Sequence, residues 1–331
     1  MDTHNATPAA LSLPTPLDEK GSPRSLGVEV EFGGLSEQQT ADLVAQETGG
    51  TISREGADYL ISDTPFGTCK AYIDTAYRKR ASGEVAKTAI DLARNLVPVE
   101  LVSDPFDPAH LPAFDALIAA MRDAGAYGTD KGILLGYGVH LNVQTAAQSA
   151  DHIWSVVTAF ALSEQLIRHS HPIDLSRRVL PFVDSYPRAL LDALAEGPPE
   201  TLRALADSYL AHAPSRNHAL DLLPIIADFD PDLITQTFGN DNGISARPAY
   251  HYRMPDCRID DPGWSVSHEW ALWVAIEALA EDRATLNALC AAWRDHRSQI
   301  AHVPHAWIDR ASAILRDAGH DAMLKSDSAA A

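Results

Sequence analysis

The sequence predicts an α+β fold, in which helices from the second half of the chain pack on a sheet built from the first. Three observations carry that reading. Segments between residues 26 and 144 are short, and several alternate apolar with polar side chains, the period of a half-buried strand. Segments after residue 150 are mostly helical candidates, with one strand among them. The 331 residues are 46% hydrophobic and 21% charged, an ordinary globular composition with ample material for a core.

The elements follow in order. Residues 1–23 are rich in Pro, Ala, Thr and Ser without a period and read as a tail. Leu26 to Gly33 reads as a strand. Ser36 and Gln39 then form a capping box, and the helix they open ends at Gly49-Gly50, which supplies the C-terminal glycine. Strands are expected at Thr51–Arg54, Tyr59–Ser62 and Thr68–Thr75, followed by a helix over Glu84–Arg94 and a strand at Val97–Ser103. Leu111–Ala124 reads as helix and Gly136–Gln144 as strand. Helices are expected at His152–His169, Arg188–Ala195, Glu200–Ala211, Ala219–Ala227, Trp264–Asp282, Thr285–His302 and Pro304–Ala318, interrupted by the strand Ala249–Arg253. Residues 324–331 read as a second tail, which leaves 24–323 as one catalytic domain.

Charge and cysteine usage narrow the function. With 26 Lys and Arg against 45 Asp and Glu the net charge is −19, so a nucleic-acid or anionic-membrane binder is not expected, because both need a basic face. Phosphate ligands remain possible where a metal supplies local positive charge. Cys69, Cys257 and Cys290 stand far apart, without a CxxC, which excludes a disulfide scaffold and a cysteine-rich zinc site. No signal-peptide pattern and no apolar run of ~18 residues is present, so a cytoplasmic protein is expected.

The strands carry the chemistry. In Val28–Phe32, the apolar residues Val28, Val30 and Phe32 share one face, and Glu29 and Glu31 share the other. Val139, Leu141 and Val143 likewise oppose His140 and Asn142, while Tyr250 and Tyr252 oppose His251 and Arg253. Lys70, Tyr72 and Asp74 share a face, and Glu100 stands between apolar neighbours. An exposed sheet face would favour Thr, Lys, Gln and Ser. This one collects carboxylate, imidazole and guanidinium groups, which suits Mg²⁺ or Mn²⁺ with phosphate. Walker A, GxGxxG, HExxH and GxSxG sequences are all missing, and Gly136-Tyr137-Gly138 alone is not a nucleotide loop.

Three of these strands, Leu26–Phe32, Gly138–Asn142 and Arg247–Arg253, resemble the amidoligase family, with support from Pro98–Val102, Ser215–Pro224 and Pro255–Ser265. The resemblance spans roughly residues 24–295. It implies a glutamine synthetase-like catalytic fold, with a curved, mainly antiparallel sheet, shared with glutamate–cysteine ligase. It also implies an ATP-dependent carboxylate–amine ligase using Mg²⁺ or Mn²⁺. Such an enzyme transfers the γ-phosphoryl of ATP to a carboxylate, and an amine then displaces phosphate from the acyl phosphate.

By position, Glu29, Glu31 and His140 correspond to metal-binding residues, Glu100 and Asp74 are candidates for the further acidic ligands, and Glu31, His140 and Arg253 are expected as catalytic groups. Arg253 corresponds to the arginine that steadies the phosphates, and Arg247, Arg258, Asn142 and Arg216 are candidate nucleotide or substrate contacts. One departure stands out: the superfamily has glutamate where this chain has His251, so one metal shell is expected to differ or to be incomplete.

Other readings stay open. Arg247 and Arg258 either bind an anion or pair with Asp256, Asp260 or Asp261. Arg216 and Asn217 either touch substrate or cap a following helix. Trp264, Trp270 and Trp273 read as core, Arg177-Arg178 as a solvated pair, and Cys257 as packing. A phosphotransferase on the same face, or a non-catalytic nucleotide- or peptide-binding relative, is the rival function. Expected partners are small or peptide carboxylates and amines, with a homo-oligomer allowed.

Overall fold

The structure, a computed structural model, describes residues 12–73, 98–129, 136–174, 177, 183–299 and 305–324. Asp74, Arg178 and the helix expected over 84–94 lie outside the described residues.

Eight strands form one sheet. They are β1 (Leu26–Phe32), β2 (Thr51–Glu55), β3 (Asp58–Thr64), β4 (Gly67–Ile73), β5 (Val99–Ser103), β6 (Val139–Gln144), β7 (Leu220–Asp221) and β8 (Ala249–Tyr252). The spatial order is β2-β3-β4-β5-β1-β6-β8-β7, and every pairing is antiparallel. Ten α-helices occur among the described residues. They are α1 (Glu37–Thr48), α2 (Leu111–Asp123), α3 (Ala150–Ser170), α4 (Arg188–Leu194), α5 (Leu202–His212), α6 (Leu223–Phe229), α7 (Pro231–Phe238), α8 (Val266–Glu281), α9 (Arg283–Ser298) and α10 (Ala306–Asp317). None of the described helices is long and apolar enough to cross a membrane.

The α1 boundaries follow the capping chemistry. Ser36 Oγ accepts from Gln39 N, Gln39 Oε1 accepts from Ser36 N, and Gly49 closes the helix at φ 75°, a left-handed conformation that suits glycine. Ser149 and Ser265 start the long helices α3 and α8 in the same way, accepting from His152 N and His268 N.

Helices α3 and α8 pack on each other and cover the apolar side of the central strands. Val28, Val30, Phe32, Leu101, Val139, Leu141, Tyr250 and Tyr252 are all buried there. Trp273 of α8 lies 5.3 Å from the Tyr250 ring and 5.5 Å from Tyr252, and Phe160 of α3 meets Tyr252 edge-on at 5.9 Å. Trp264, Trp270 and Trp273 are core residues, as expected.

Three expectations need correction. Residues 12–23 are not a free tail: Leu13 is buried, and Arg24 N donates to Pro16 O. Hydrogen bonds to an irregular backbone leave no period in the sequence. Residues 219–227 are not one helix, because Leu220–Asp221 pair as β7 and α6 starts only at Leu223. Pro224 tolerates the first helical turn but not the interior. Arg216 and Asn217 therefore precede a strand, and Asn217 O accepts from Asp184 N.

Candidate active site on the polar face of the sheet

Register brings the polar side chains together. Glu31 stands opposite Glu100, Glu29 opposite His140, and His251 opposite both Asn142 and Asp221. Directly opposed residues in an antiparallel pair share a face. Four adjacent strands, β5-β1-β6-β8, thus present Glu100, Glu31, Glu29, His140, Asn142 and His251 on the side away from Trp273.

Hydrogen bonds link Glu29, His140, Asn142 and His251 with Arg247 into one network, and Glu31 and Arg253 bond beside it. Glu29 Oε2 lies 2.9 Å from His140 Nδ1, and Glu29 Oε1 accepts from Asn142 Nδ2 at 2.7 Å. Arg247 Nη2 donates to Asn142 Oδ1 at 2.5 Å and to His251 Nδ1 at 2.7 Å. Glu31 Oε2 accepts the Gly138 N–H at 2.8 Å. Arg253 Nη1 donates to Arg216 O at 2.7 Å. The Nε atoms of Arg247 and Arg253 and Nε2 of His251 are buried without a hydrogen-bond partner among the described residues.

The charge states follow from these contacts. Burial acts to raise the Glu29 carboxyl, but the His140 hydrogen bond, the nearby His251 and His140 imidazoles and the Asn142 hydrogen bond together outweigh it and hold Glu29 well below the usual carboxylate range. Burial pushes the His251 imidazole far down, with the neighbouring Arg253 and Arg247 charges acting in the same direction, so the ring is neutral. Asp221 is pushed up to about 6 by burial, against the Leu223 N–H and the charges of Arg253, Arg216 and Arg247. Burial also lowers Arg253, and the nearby Glu31 charge opposes it.

Glu29, His140 and His251 each offer a ligand atom, and these atoms all lie within 4.8 Å of one another. A carboxylate held ionised and two imidazoles, one with a buried unpartnered nitrogen, form a donor set that fits a divalent cation. The same face holds Glu31 and Glu100 as an opposed carboxylate pair.

The expected residues divide clearly. Glu29, Glu31, Glu100, His140, Asn142, Arg247 and Arg253 gather here. The Arg216 carbonyl holds Arg253, and its guanidinium charge acts on Asp221 and Arg247. Arg258 instead lines a cavity of about 320 Å³ with His171, Asp256 and Glu269, beside α3 and α8, and that wall includes none of Glu29, His140 or His251. Arg247 pairs with none of Asp256, Asp260 and Asp261; it bonds within the network. His251, read from sequence as a gap in a metal shell, stands inside the cluster.

Sequence reasoning missed two participants. Asp221 sits in a two-residue strand too short to show alternation. Arg177 is buried, not solvated: Nη1 donates to Met254 O, Pro255 O and Asp256 Oδ1, and Nη2 donates to Arg253 O. It thereby pins the chain that leaves β8 just behind Arg253. Gly136 and Gly138 make room for it, since a Cβ on them would lie 1.9 Å from Arg177 Cγ and 2.8 Å from Arg177 Nη2. That close approach gives Gly136-Tyr137-Gly138 a packing role. Cys257 is buried, and burial pushes its thiol far up, which agrees with the packing reading.

No curated protein shows significant sequence similarity to the chain. Residues 22–275, which include every strand of the network described above, match the profile of the family described as putative amidoligase enzyme, and the chain belongs to that family.

Proposed function

We propose that the protein is an ATP-dependent carboxylate–amine ligase with a glutamine synthetase-like catalytic face. The observation that supports this reading best is the gathering of Glu29, Glu31, Glu100, His140 and Arg253 on the polar side of four adjacent strands. Phosphoryl transfer depends on positioning and charge neutralisation, and a surface that joins carboxylates, imidazoles and guanidiniums supplies both.

In this reading a carboxylate oxygen of the substrate attacks the γ-phosphorus of ATP, and ADP leaves. The amine nitrogen then attacks the acyl carbon, loses a proton, and expels inorganic phosphate, so ATP, carboxylate and amine become ADP, phosphate and amide. Arg253 steadies the transferred phosphoryl group, with Arg247 as a second anion contact. Glu29, His140 and His251, together with Glu31 and Glu100, would hold Mg²⁺ or Mn²⁺, which neutralises phosphate charge when bound. Partners are a small or peptide carboxylate and an amine, and the expected setting is the cytoplasm.

The test supplies ATP, Mg²⁺ or Mn²⁺, and pooled carboxylates and amines. Phosphate release that needs both pools, with a new amide mass, is the expected result. A phosphorylated product formed without amine would make the protein a phosphotransferase. Absence of nucleotide binding would make it a non-catalytic relative.

A further inference from the structure

The two ring nitrogens of His251 are unequally engaged. Nδ1 lies 2.7 Å from Arg247 Nη2, whereas Nε2 is buried and has no partner among the described residues. A guanidinium nitrogen only donates, so Nδ1 must be the acceptor and the proton of the neutral ring sits on Nε2. His251 is also one of the three residues whose ligand atoms lie within 4.8 Å of one another.

These two roles exclude each other. A metal takes a lone pair of the neutral imidazole. On Nδ1 it would take the pair that Arg247 now uses. On Nε2 it would move the ring proton to Nδ1, where one N–H would face another. Either way the hydrogen bond between Arg247 and His251 breaks. Close positive charge adds to the effect, because a divalent ion at His251 repels the guanidinium.

Besides His251, Arg247 has one short bond, from Nη2 to Asn142 Oδ1 at 2.5 Å, which its release would also break. Its Nη1 bond to Ser245 O is long at 3.2 Å, and its buried Nε has no partner among the described residues. Residues 239–248, which precede β8, carry no helix or strand.

We propose that Arg247 holds His251 until a divalent ion of the first transition series, Mn²⁺ or Zn²⁺, binds Glu29, His140 and His251, and that this ion frees the Arg247 guanidinium to grip an anion. Two imidazoles and one carboxylate suit such ions, whereas Mg²⁺ prefers oxygen ligands and keeps its water. Metal loading and anion capture then become one event, and the freed fork matches phosphate or carboxylate. The inference deepens the metal part of the ligase reading and is independent of which carboxylate and amine are joined.

The experiment uses the full chain without nucleotide. Imidazole ¹⁵N spectra are recorded during Zn²⁺ titration, and Mn²⁺ binding is followed by electron paramagnetic resonance with Mg²⁺ as competitor. The expected results are an exchange of the His251 tautomer or direct metal ligation on Zn²⁺ saturation, and Mn²⁺ affinity at least ~10-fold above that for Mg²⁺. His251→Glu should shrink that ratio by about 10-fold, and Arg247→Met should tighten Mn²⁺ binding several-fold. His251 signals that ignore saturating Zn²⁺, or equal affinity for Mn²⁺ and Mg²⁺, would overturn the proposal and leave the ligase reading standing. Normal metal results without ATP binding would do the reverse.

Discussion

The two faces of β1 are built for opposite ends. On the helix-covered face, even the charges are satisfied. Arg24, just before β1, is buried against Glu277 of α8, with Nη1 and Nη2 each 2.7 Å from a carboxylate oxygen, and its remaining donor bonds go to Gln144 O and Thr15 O. Trp273 Nε1 adds a third donor to Glu277. On the other face, Arg247, His251 and Arg253 each keep a buried nitrogen without a partner among the described residues, and Glu31 faces Glu100. The helix-covered face closes its buried ion pair, although the Tyr250 and Tyr252 hydroxyls there are buried without a partner among the described residues. The other gathers carboxylates, imidazoles and guanidiniums and leaves three of their nitrogens buried without a partner among the described residues, groups that a bound cation and anion would engage.

The sharpest way to break the contrast is to strip the satisfied face. Glu277→Ala leaves Arg24 buried without its counter-charge and should destabilise the protein by about 3–5 kcal/mol, read as a shift of the denaturation midpoint. A loss below about 1 kcal/mol would show that the pair is not the anchor described here.

Glu31→Gln tests the opposite face. It should cut turnover by about 100-fold or more while stability changes by less than about 1 kcal/mol, because the amide oxygen can still accept the Gly138 N–H. Unchanged turnover would remove Glu31 from the site.

Ser36→Ala acts at the start of α1, outside both groups of contacts. It removes a capping box and should cost about 1 kcal/mol of stability with no change in metal or nucleotide binding, checked by chemical denaturation and calorimetry.

A last effect is confined to acid pH. Burial, helped by the Arg24 charge, pushes His152 from its ordinary 6.5 down to about 4. Its ring stays neutral in the fold but charges readily when unfolded. Stability from this group is therefore full above about pH 6.5 and is lost as the pH falls towards about 4. His152→Gln should flatten that part of the stability profile, and an unaltered profile would contradict the assignment.

The same contrast explains what could be read from the letters. Alternation in Val28–Phe32, Val139–Val143 and Tyr250–Arg253 was legible because each strand separates an apolar from a polar row, and the polar rows turned out to be neighbours. The α1 boundaries were legible because Ser36, Gln39 and Gly49 act locally. Asp230 and Pro231 carried an equally local start signal for α7, which the sequence reading passed over. Arg24, Arg177 and Asp221 were hidden because their partners lie far along the chain or in a strand of two residues. His251 looked like a defect because a residue type was compared with a pattern, whereas register places its ring 5.0 Å from that of His140.

The most direct test follows oxygen. Carboxylate substrates labelled with ¹⁸O are incubated with the protein, ATP, a divalent ion and amine, and the released phosphate is weighed by mass spectrometry. Transfer of one label from carboxylate to phosphate is the predicted result, since the carboxylate oxygen attacks the γ-phosphorus. Unlabelled phosphate formed alongside amide would contradict the acyl-phosphate route and the role given to the polar face.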